Sequence, residues 1–499
     1  MLRFVLLEFV VFVDWREEGV MISKRASVSE QNPVVGAFLA APCFHNRGAA
    51  LRQVFFAGIL MWMRPAPVYS IEFRRHKGTS LCLFRSRAKG GRSRILLSIA
   101  FALLLAGPGA LARQFPVVPA RSTPHALTGI DVLEMEDFAP LRGKRVGLIT
   151  NQTGIDSEGR RTIDVLKSAP GVKLVALFSP EHGIAGRADS SVANATDAKT
   201  GLTIYSLYGA TRRPTPEMLA SLDALVFDIQ DAGVRFYTFT TTMAYCMEEA
   251  AKAHIAYYVL DRPNPLGGEI IEGPMLDPDK LSFVGYFPMP IRYAMTMGEL
   301  AQMFNAENKV GADLHVIAMK NWQRSEPYNQ AGQPWIAPSP NLRSLTEAYL
   351  YPGIEILQAG DISVGRGTDT PFEILGAPWI DGKQFAAALA RRKISGVEFS
   401  PADFTPTQDL YAGQLCHGVK IRIAPKGELR SMRMGIEIEY VLRRMYPQNF
   451  HVDKTITLIG NQATVEALER GESPAKIIKS WTPSLEKFRA MRAKYLLYH

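Results

Sequence analysis

Between Arg145 and Pro265 the chain repeats one pattern four times: a short apolar, β-branched run ends abruptly in a cluster of polar groups. Val146–Thr150 runs into Asn151, Gln152 and Thr153. Leu174–Phe178 runs into Ser179, Pro180, Glu181, His182 and Gly183. Leu225–Phe227 runs into Asp228, Ile229, Gln230 and Asp231, and Tyr257–Leu260 into Asp261, Arg262, Pro263 and Asn264. Apolar runs bounded by turn residues and separated by helix-period segments predict buried parallel strands. The intervening helices are expected at Arg160–Ala169, Pro214–Leu222 and Phe239–His254, and a further alternating strand at Thr203–Leu207. The β-helix-β alternation predicts an α/β fold with a Rossmann-like, doubly wound domain over residues 128–296. Ligands of such sheets bind beyond the carboxyl ends of the strands, so all four polar clusters are expected to line one crevice.

From Met297 the pattern changes. Met297–Asn305 reads as a helix and Leu314–Met319 as a strand, followed by a loop rich in Pro, Asn, Gln and Trp. Gly382–Arg392 and Ser431–Met445 have helical spacing, and Gly418–Ala424 alternates like a strand. A second domain is expected to start near Met297 and to run over residues 297–499.

The formal charge of +9 belongs to the N-terminal segment. Residues 1–112 hold 15 Lys+Arg against 6 Asp+Glu, and the rest of the chain holds 42 of each. The body therefore has no basic bias that would suggest a nucleic-acid partner. Within that segment a basic stretch from Arg85 to Arg94 precedes the apolar Ile95–Ala106 and then Ala110-Leu111-Ala112. This order predicts a signal peptide over 85–112, a mature start at Arg113, and a periplasmic or secreted product. The apolar run is too short for a stable membrane anchor. Residues 1–84 read as a non-native or disordered extension. Of four cysteines, only Cys246 and Cys416 follow the predicted cleavage point, and they show no metal-ligand spacing.

Several residues in the strand-end clusters can carry chemistry. Glu181 sits between Pro180 and Gly183 on a tight turn, which suits a general acid. Its neighbour His182 is a candidate ligand contact, with helix capping as the alternative. Asp228 and Asp231 flank Gln230 and precede Arg235 and Tyr237. They could form an acid/base pair, a metal site, or a loop-fixing ion pair. Asn151 and Gln152 follow the first strand, Asn264 ends the fourth, and Glu272 follows in Glu272-Gly273-Pro274. Arg366, between Gly365 and Gly367, could present a guanidinium to a ligand carboxylate. No G-x-S-x-G, Walker A, zincin motif or strand-linked G-x-G-x-x-G is present, which removes the main support for serine-hydrolase, nucleotide and hydride chemistry. No cofactor is called for.

Seven segments together resemble the NamZ-type exo-β-N-acetylmuramidases: Gly147–Gly154, Phe178–Gly183, Asp228–Tyr237, Asp261–Gly268, Glu272–Pro274, Pro338–Asn341 and Gly365–Thr368. The resemblance runs from about Leu127 to His499. It implies a Rossmann-like domain, a smaller C-terminal α/β domain and an active cleft between them, and hydrolysis of a non-reducing-end N-acetylmuramic acid from peptidoglycan-derived muropeptides or disaccharides, with Glu181 as the leading catalytic residue. Gly360-Asp361 departs from the more usual Thr-Asn. Glycoside hydrolysis generally employs two carboxylates, and Asp228, Asp231 and Glu272 are the candidates for the second. The substrate's own 2-acetamido group could replace it. Arg235 or Arg366 could meet the lactyl carboxylate. Two rival readings stand beside this one: a non-catalytic muropeptide-binding protein, and a metal-dependent hydrolase built on Asp228, Asp231 and His182.

Overall fold

The computed structural model describes residues 14–16, 19–21, 125–188 and 190–499. In the first of two compact units, Met1–Val117, the described residues form one antiparallel pair, Asp14–Arg16 with Gly19–Met21. The expected signal segment, 85–112, lies outside the described residues, as does nearly all of 1–84. The second unit, Val118–His499, holds everything that follows.

Its larger sheet has seven strands. In chain order they are β1 (Arg145–Thr150), β2 (Lys173–Ser179), β3 (Ala195–Thr196), β4 (Thr203–Ser206), β5 (Ala224–Asp228), β6 (Ala256–Leu260) and, after the separate antiparallel pair β7 (Glu272–Met275) and β8 (Pro290–Arg292), β9 (Leu314–Ile317). Their spatial order is β9-β6-β5-β1-β2-β4-β3, parallel throughout except for the short edge strand β3. β5 and β6 are fully buried, as expected of strands covered on both faces. Phe178 and Phe227 project from β2 and β5 into one core cluster. Burying a side chain of this kind stabilises by roughly 1.5–3 kcal/mol. The chain winds outward from β1 through β2 to β4, then returns to β5 and winds the other way. The reversal places the topological switch point between β1 and β5, where doubly wound sheets bind ligands.

The expected strands and helices of this layer are present: after α1 (Gly129–Met135) come α2 (Thr162–Ser168) and the long helix α4 (Phe239–Lys252). Pro214–Leu222 yields only the short α3, Pro216–Leu219. One expectation needs correction. Leu314–Ile317, assigned from the sequence to the C-terminal domain, pairs in parallel with β6. The preceding helix, α5 (Met297–Glu307), packs on the same sheet, so the large layer extends past residue 296.

The smaller sheet is antiparallel, with β12 (Cys416–Ile423) between β10 (Ile374–Ala377) and β11 (Val397–Phe404). Its helices include α6 (Leu345–Gln358), α7 (Gly382–Arg392) and α8 (Ser431–Met445). α6 and α8 cross at Gly353 and Gly435. A Cβ on Gly353 would stand 1.9 Å from the Ser431 carbonyl oxygen, so only glycine permits this approach. Cys246 and Cys416 are free, buried thiols. Among the described residues no helix is long and apolar enough to cross a membrane.

Candidate active site

The carboxyl ends of β1, β2 and β5 meet at the switch point, and side chains from all three turns are stitched together there. Asn151 folds back on its own turn. Its Oδ1 accepts from the Thr153 amide at 2.9 Å and from Thr153 Oγ1 at 2.6 Å. Thr153 Oγ1 in turn accepts from the Gln230 amide at 2.9 Å, which fixes the β1 turn to the β5 turn. The Asn151 Nδ2 is buried without a hydrogen-bond partner. Gln152 donates from Nε2 to the Ala337 carbonyl at 2.7 Å, holding the Pro338–Asn341 loop beside the crevice. Its amide lies where a Cβ on Gly186 would clash at 2.0 Å, and Gly186 also has a φ of +65°. The left-handed φ is what favours glycine there.

Glu181 leaves the end of β2, half-buried, and Thr238 Oγ1 donates to its Oε2 at 2.5 Å. Thr238 immediately precedes α4. The Tyr208 phenol, from the loop after β4, faces Glu181, and burial together with that carboxylate pushes it up to about 12. Tyr237, fully buried, lies within the electrostatic reach of Glu181, Asp231 and Arg366, and its hydroxyl neighbours Ser339. Burial holds its proton well above the usual phenol range. Next to Glu181, His182 adopts a left-handed φ of 69° and its Nδ1 lies 2.7 Å from the Ala188 carbonyl oxygen. A carbonyl only accepts, so Nδ1 carries the proton in this contact.

The smaller domain closes the site with an aromatic and ionic cluster. Tyr351 of α6 meets Tyr237 edge-on with ring centroids 6.0 Å apart, and meets Phe236 at 5.4 Å. Arg366, on its glycine turn, pairs with Glu355 of α6 at 2.5 Å. Burial pushes the Glu355 carboxyl up, against the pull of Arg366. The guanidinium Nε of Arg366 has no hydrogen-bond partner.

Other residues expected at the site are placed elsewhere, for physical reasons. Asp228 is fully buried and its two oxygens are taken by Arg262, at 2.5 and 2.9 Å, with Thr162 donating as well. It neutralises a buried guanidinium and has no face toward the crevice. Arg235 is 1% exposed and donates to four backbone carbonyls, those of Pro274, Met289, Leu458 and Ile459, at 2.8–3.1 Å. The guanidinium clasps the two domains and is not offered to a ligand. Asp231 does not pair with it. Its Oδ2 accepts from the Gly233 amide at 2.6 Å and from the Tyr293 hydroxyl, while Oδ1 is unpartnered. Burial pushes Asp231 up to about 6. Gln230 donates to the Asp231 and Pro263 carbonyls, and Asn264 to that of Met295, so both brace the turns. Glu272 pairs with Arg292 at 2.9 Å beside a separate cleft of about 400 Å³ lined by Leu266, Glu269, Arg292, Tyr349 and Glu428. Asp361 engages His451 and Lys454. Among the described residues no three His, Cys, Asp or Glu side chains converge as a metal site.

The arrangement presents one half-buried carboxyl group, accepting from the Thr238 hydroxyl, at the carboxyl end of the parallel sheet near the Tyr237–Tyr351 pair. A carboxyl group so placed can act on a substrate brought within its hydrogen-bond reach. The comparisons with known proteins decide the family. Residues 146–346 match the N-terminal model of the exo-β-N-acetylmuramidase NamZ, and residues 349–498 match its C-terminal model. The chain belongs to the NamZ family.

A NamZ relative from Bacillus subtilis (strain 168), the peptidoglycan β-N-acetylmuramidase NamZ, is 42% identical over 380 residues, covering 75% of this chain and 92% of the relative. Two crystal structures of DUF1343 family proteins from Bacteroides fragilis NCTC 9343 share the NamZ-family fold seen here. One is 38% identical with a TM-score of 0.70, the other 31% with 0.61, and each match covers 75% of this chain and 99% of the other. The resemblance carried by the motifs is therefore borne out. The supporting residues Thr238, Tyr208, Tyr351 and Glu355 were not identified from the sequence, because single hydroxyls and a helix-borne glutamate leave no spacing signal.

Proposed function

We propose that this chain is an exo-acting glycoside hydrolase that releases N-acetylmuramic acid from the non-reducing end of peptidoglycan fragments during cell-wall turnover. The observation that carries this reading is Glu181 of the Ser-Pro-Glu-His-Gly motif, held by Thr238 at the switch point of a NamZ-family chain. Glu181 donates its proton to the glycosidic oxygen as the bond to the sugar's C1 breaks. Two of the three candidate second carboxylates, Asp228 and Glu272, are engaged by Arg262 and Arg292. That favours the substrate's own 2-acetamido group in the second role. A muramide bearing a trifluoroacetamido group is then expected to react far more slowly, and an unchanged rate would return that role to Asp231.

The function is tested on a disaccharide with muramic acid at its non-reducing end. Chromatography should detect free N-acetylmuramic acid and the reducing-end sugar. Cleavage within longer glycans that spares the terminal muramic acid would contradict an exo mode.

The same reading takes the protein to be exported, on the basic, apolar and small-residue order from Arg85 to Ala112. N-terminal sequencing of the exported protein is expected to begin near Arg113. A periplasmic chain beginning at Met1 would overturn this.

A further inference from the structure

Muramic acid differs from glucosamine by a 3-O-lactyl group, so an enzyme that selects it must meet one additional carboxylate. A buried anion without a cation loses its hydration for no return. The two arginines singled out from the sequence are already committed. Arg235 spends its guanidinium on four carbonyls. Arg366 is neutralised by the buried Glu355. A third arginine stands at the same site with its charge uncommitted.

Arg212 lies in the loop after β4, four residues beyond Tyr208. Its guanidinium carbon sits 4.2 Å from the ring centroid of Phe283 and 5.6 Å from that of Tyr208. The two rings are themselves 6.0 Å apart and tilted, so the guanidinium rests on an aromatic platform. The side chain is exposed, and among the described residues no carboxylate pairs with it. Stacking on ring faces leaves the N–H edges of a guanidinium pointing outward, in the fork that matches a carboxylate. The position also fits. The Tyr208 phenol faces Glu181, and the Arg212 guanidinium rests 5.6 Å from the Tyr208 ring centroid. The lactyl group is carried on the same ring whose C1 bond is cleaved. Tyr208 stands against both Arg212 and Glu181, its ring under the guanidinium and its phenol facing the carboxyl group.

We infer that Arg212, held on Phe283 and Tyr208, is the specificity residue that binds the lactyl carboxylate of the terminal sugar. This rests on the muramidase reading. The neighbouring Arg213 does not compete for the role, because it is paired with Glu248 and Glu249 at 2.5 and 3.0 Å.

The test separates binding from turnover. N-acetylmuramic acid and N-acetylglucosamine are titrated calorimetrically into the full chain, into Arg212→Ala and into Arg212→Lys. KM is then measured for a chromogenic muramide and for the matching glucosaminide. Losing a charge-assisted bidentate contact is expected to weaken muramic acid binding, and to raise the muramide KM, by about ten- to hundredfold. Glucosamine binding should stay within a few-fold, and lysine should rescue only in part. Unchanged muramic acid binding in Arg212→Ala, or an equal loss on both sugars, would overturn the role. If the unaltered protein binds muramic acid through Arg212 yet hydrolyses neither substrate, the carboxylate contact stands and the hydrolase reading alone fails.

Discussion

Thr238 Oγ1 donates to Glu181 Oε2 across 2.5 Å, joining the residue that precedes α4 to the turn that ends β2. The bond fixes one rotamer of a carboxylate that otherwise swings on three single bonds. A general acid must be within hydrogen-bond reach of its target, so the bond contributes orientation. Thr238→Val keeps the side-chain shape and removes the donor. A hydrogen bond to the neutral acid contributes about 0.5–1.5 kcal/mol, so kcat should fall roughly two- to tenfold with little change in KM. A rise in KM at constant kcat would mean that Thr238 contacts substrate instead.

The Arg235 guanidinium is expected to matter for stability and not for specificity. It satisfies four carbonyls contributed by the Pro274 and Met289 segments and by Leu458 and Ile459 near the C terminus. Arg235→Ala leaves those oxygens buried and unpaired, and should lower the unfolding free energy by about 3–5 kcal/mol. Denaturant titration measures it. Any surviving enzyme should keep the ratio of muramide to glucosaminide kcat/KM, and a selective loss on the muramide would restore the ligand role first expected of Arg235.

Arg366 and Glu355 form a coupled pair, so their single and double substitutions should be non-additive. Arg366→Ala strands the buried Glu355 carboxylate and is expected to cost about 3–5 kcal/mol. Adding Glu355→Gln removes the stranded charge and should recover much of that loss. A simple sum of the two single effects would show that the pair is not coupled.

How much of this was legible in the chain follows from the physics of each signal. The four strand ends could be read because a buried parallel strand must be apolar and its crevice turn polar, and Val146–Thr150 followed by Asn151 shows both in sequence. Glu181 was legible because Pro180 and Gly183 announce a turn around an isolated carboxylate. Asp228 and Arg235 misled for a common reason. A charged residue in a motif looks the same whether it faces a ligand or a buried partner, and only the tertiary fold brings Arg262 to one and the carbonyls of Leu458 and Ile459 to the other. The boundary expected at residue 296 missed β9 because a four-residue edge strand is too short to declare which sheet it joins.

A pH effect on stability follows from Glu439. It lies fully buried on α8 with neither carboxylate oxygen hydrogen-bonded, and burial pushes it up from 4.5 to about 8. The folded state therefore keeps a proton that the unfolded chain releases above its ordinary pKa. This contribution is fully present below about pH 4.5 and is lost as pH rises through about 8. Glu439→Gln should remove it. Thermal melts from pH 5 to 8.5 should show a melting temperature that falls several degrees more in the unaltered protein than in the variant. Parallel curves would contradict the assignment.

The central claim is that Glu181 supplies the proton for release of N-acetylmuramic acid. The direct measurement is the steady-state rate on a chromogenic N-acetylmuramide for the unaltered chain and for Glu181→Gln, with N-acetylmuramic acid affinity measured on both. The unaltered chain should turn the substrate over. The variant should keep its melting temperature and sugar affinity while kcat falls by about 10²–10⁴-fold. A variant that retains activity within a few-fold, with the fold and affinity intact, would contradict the account.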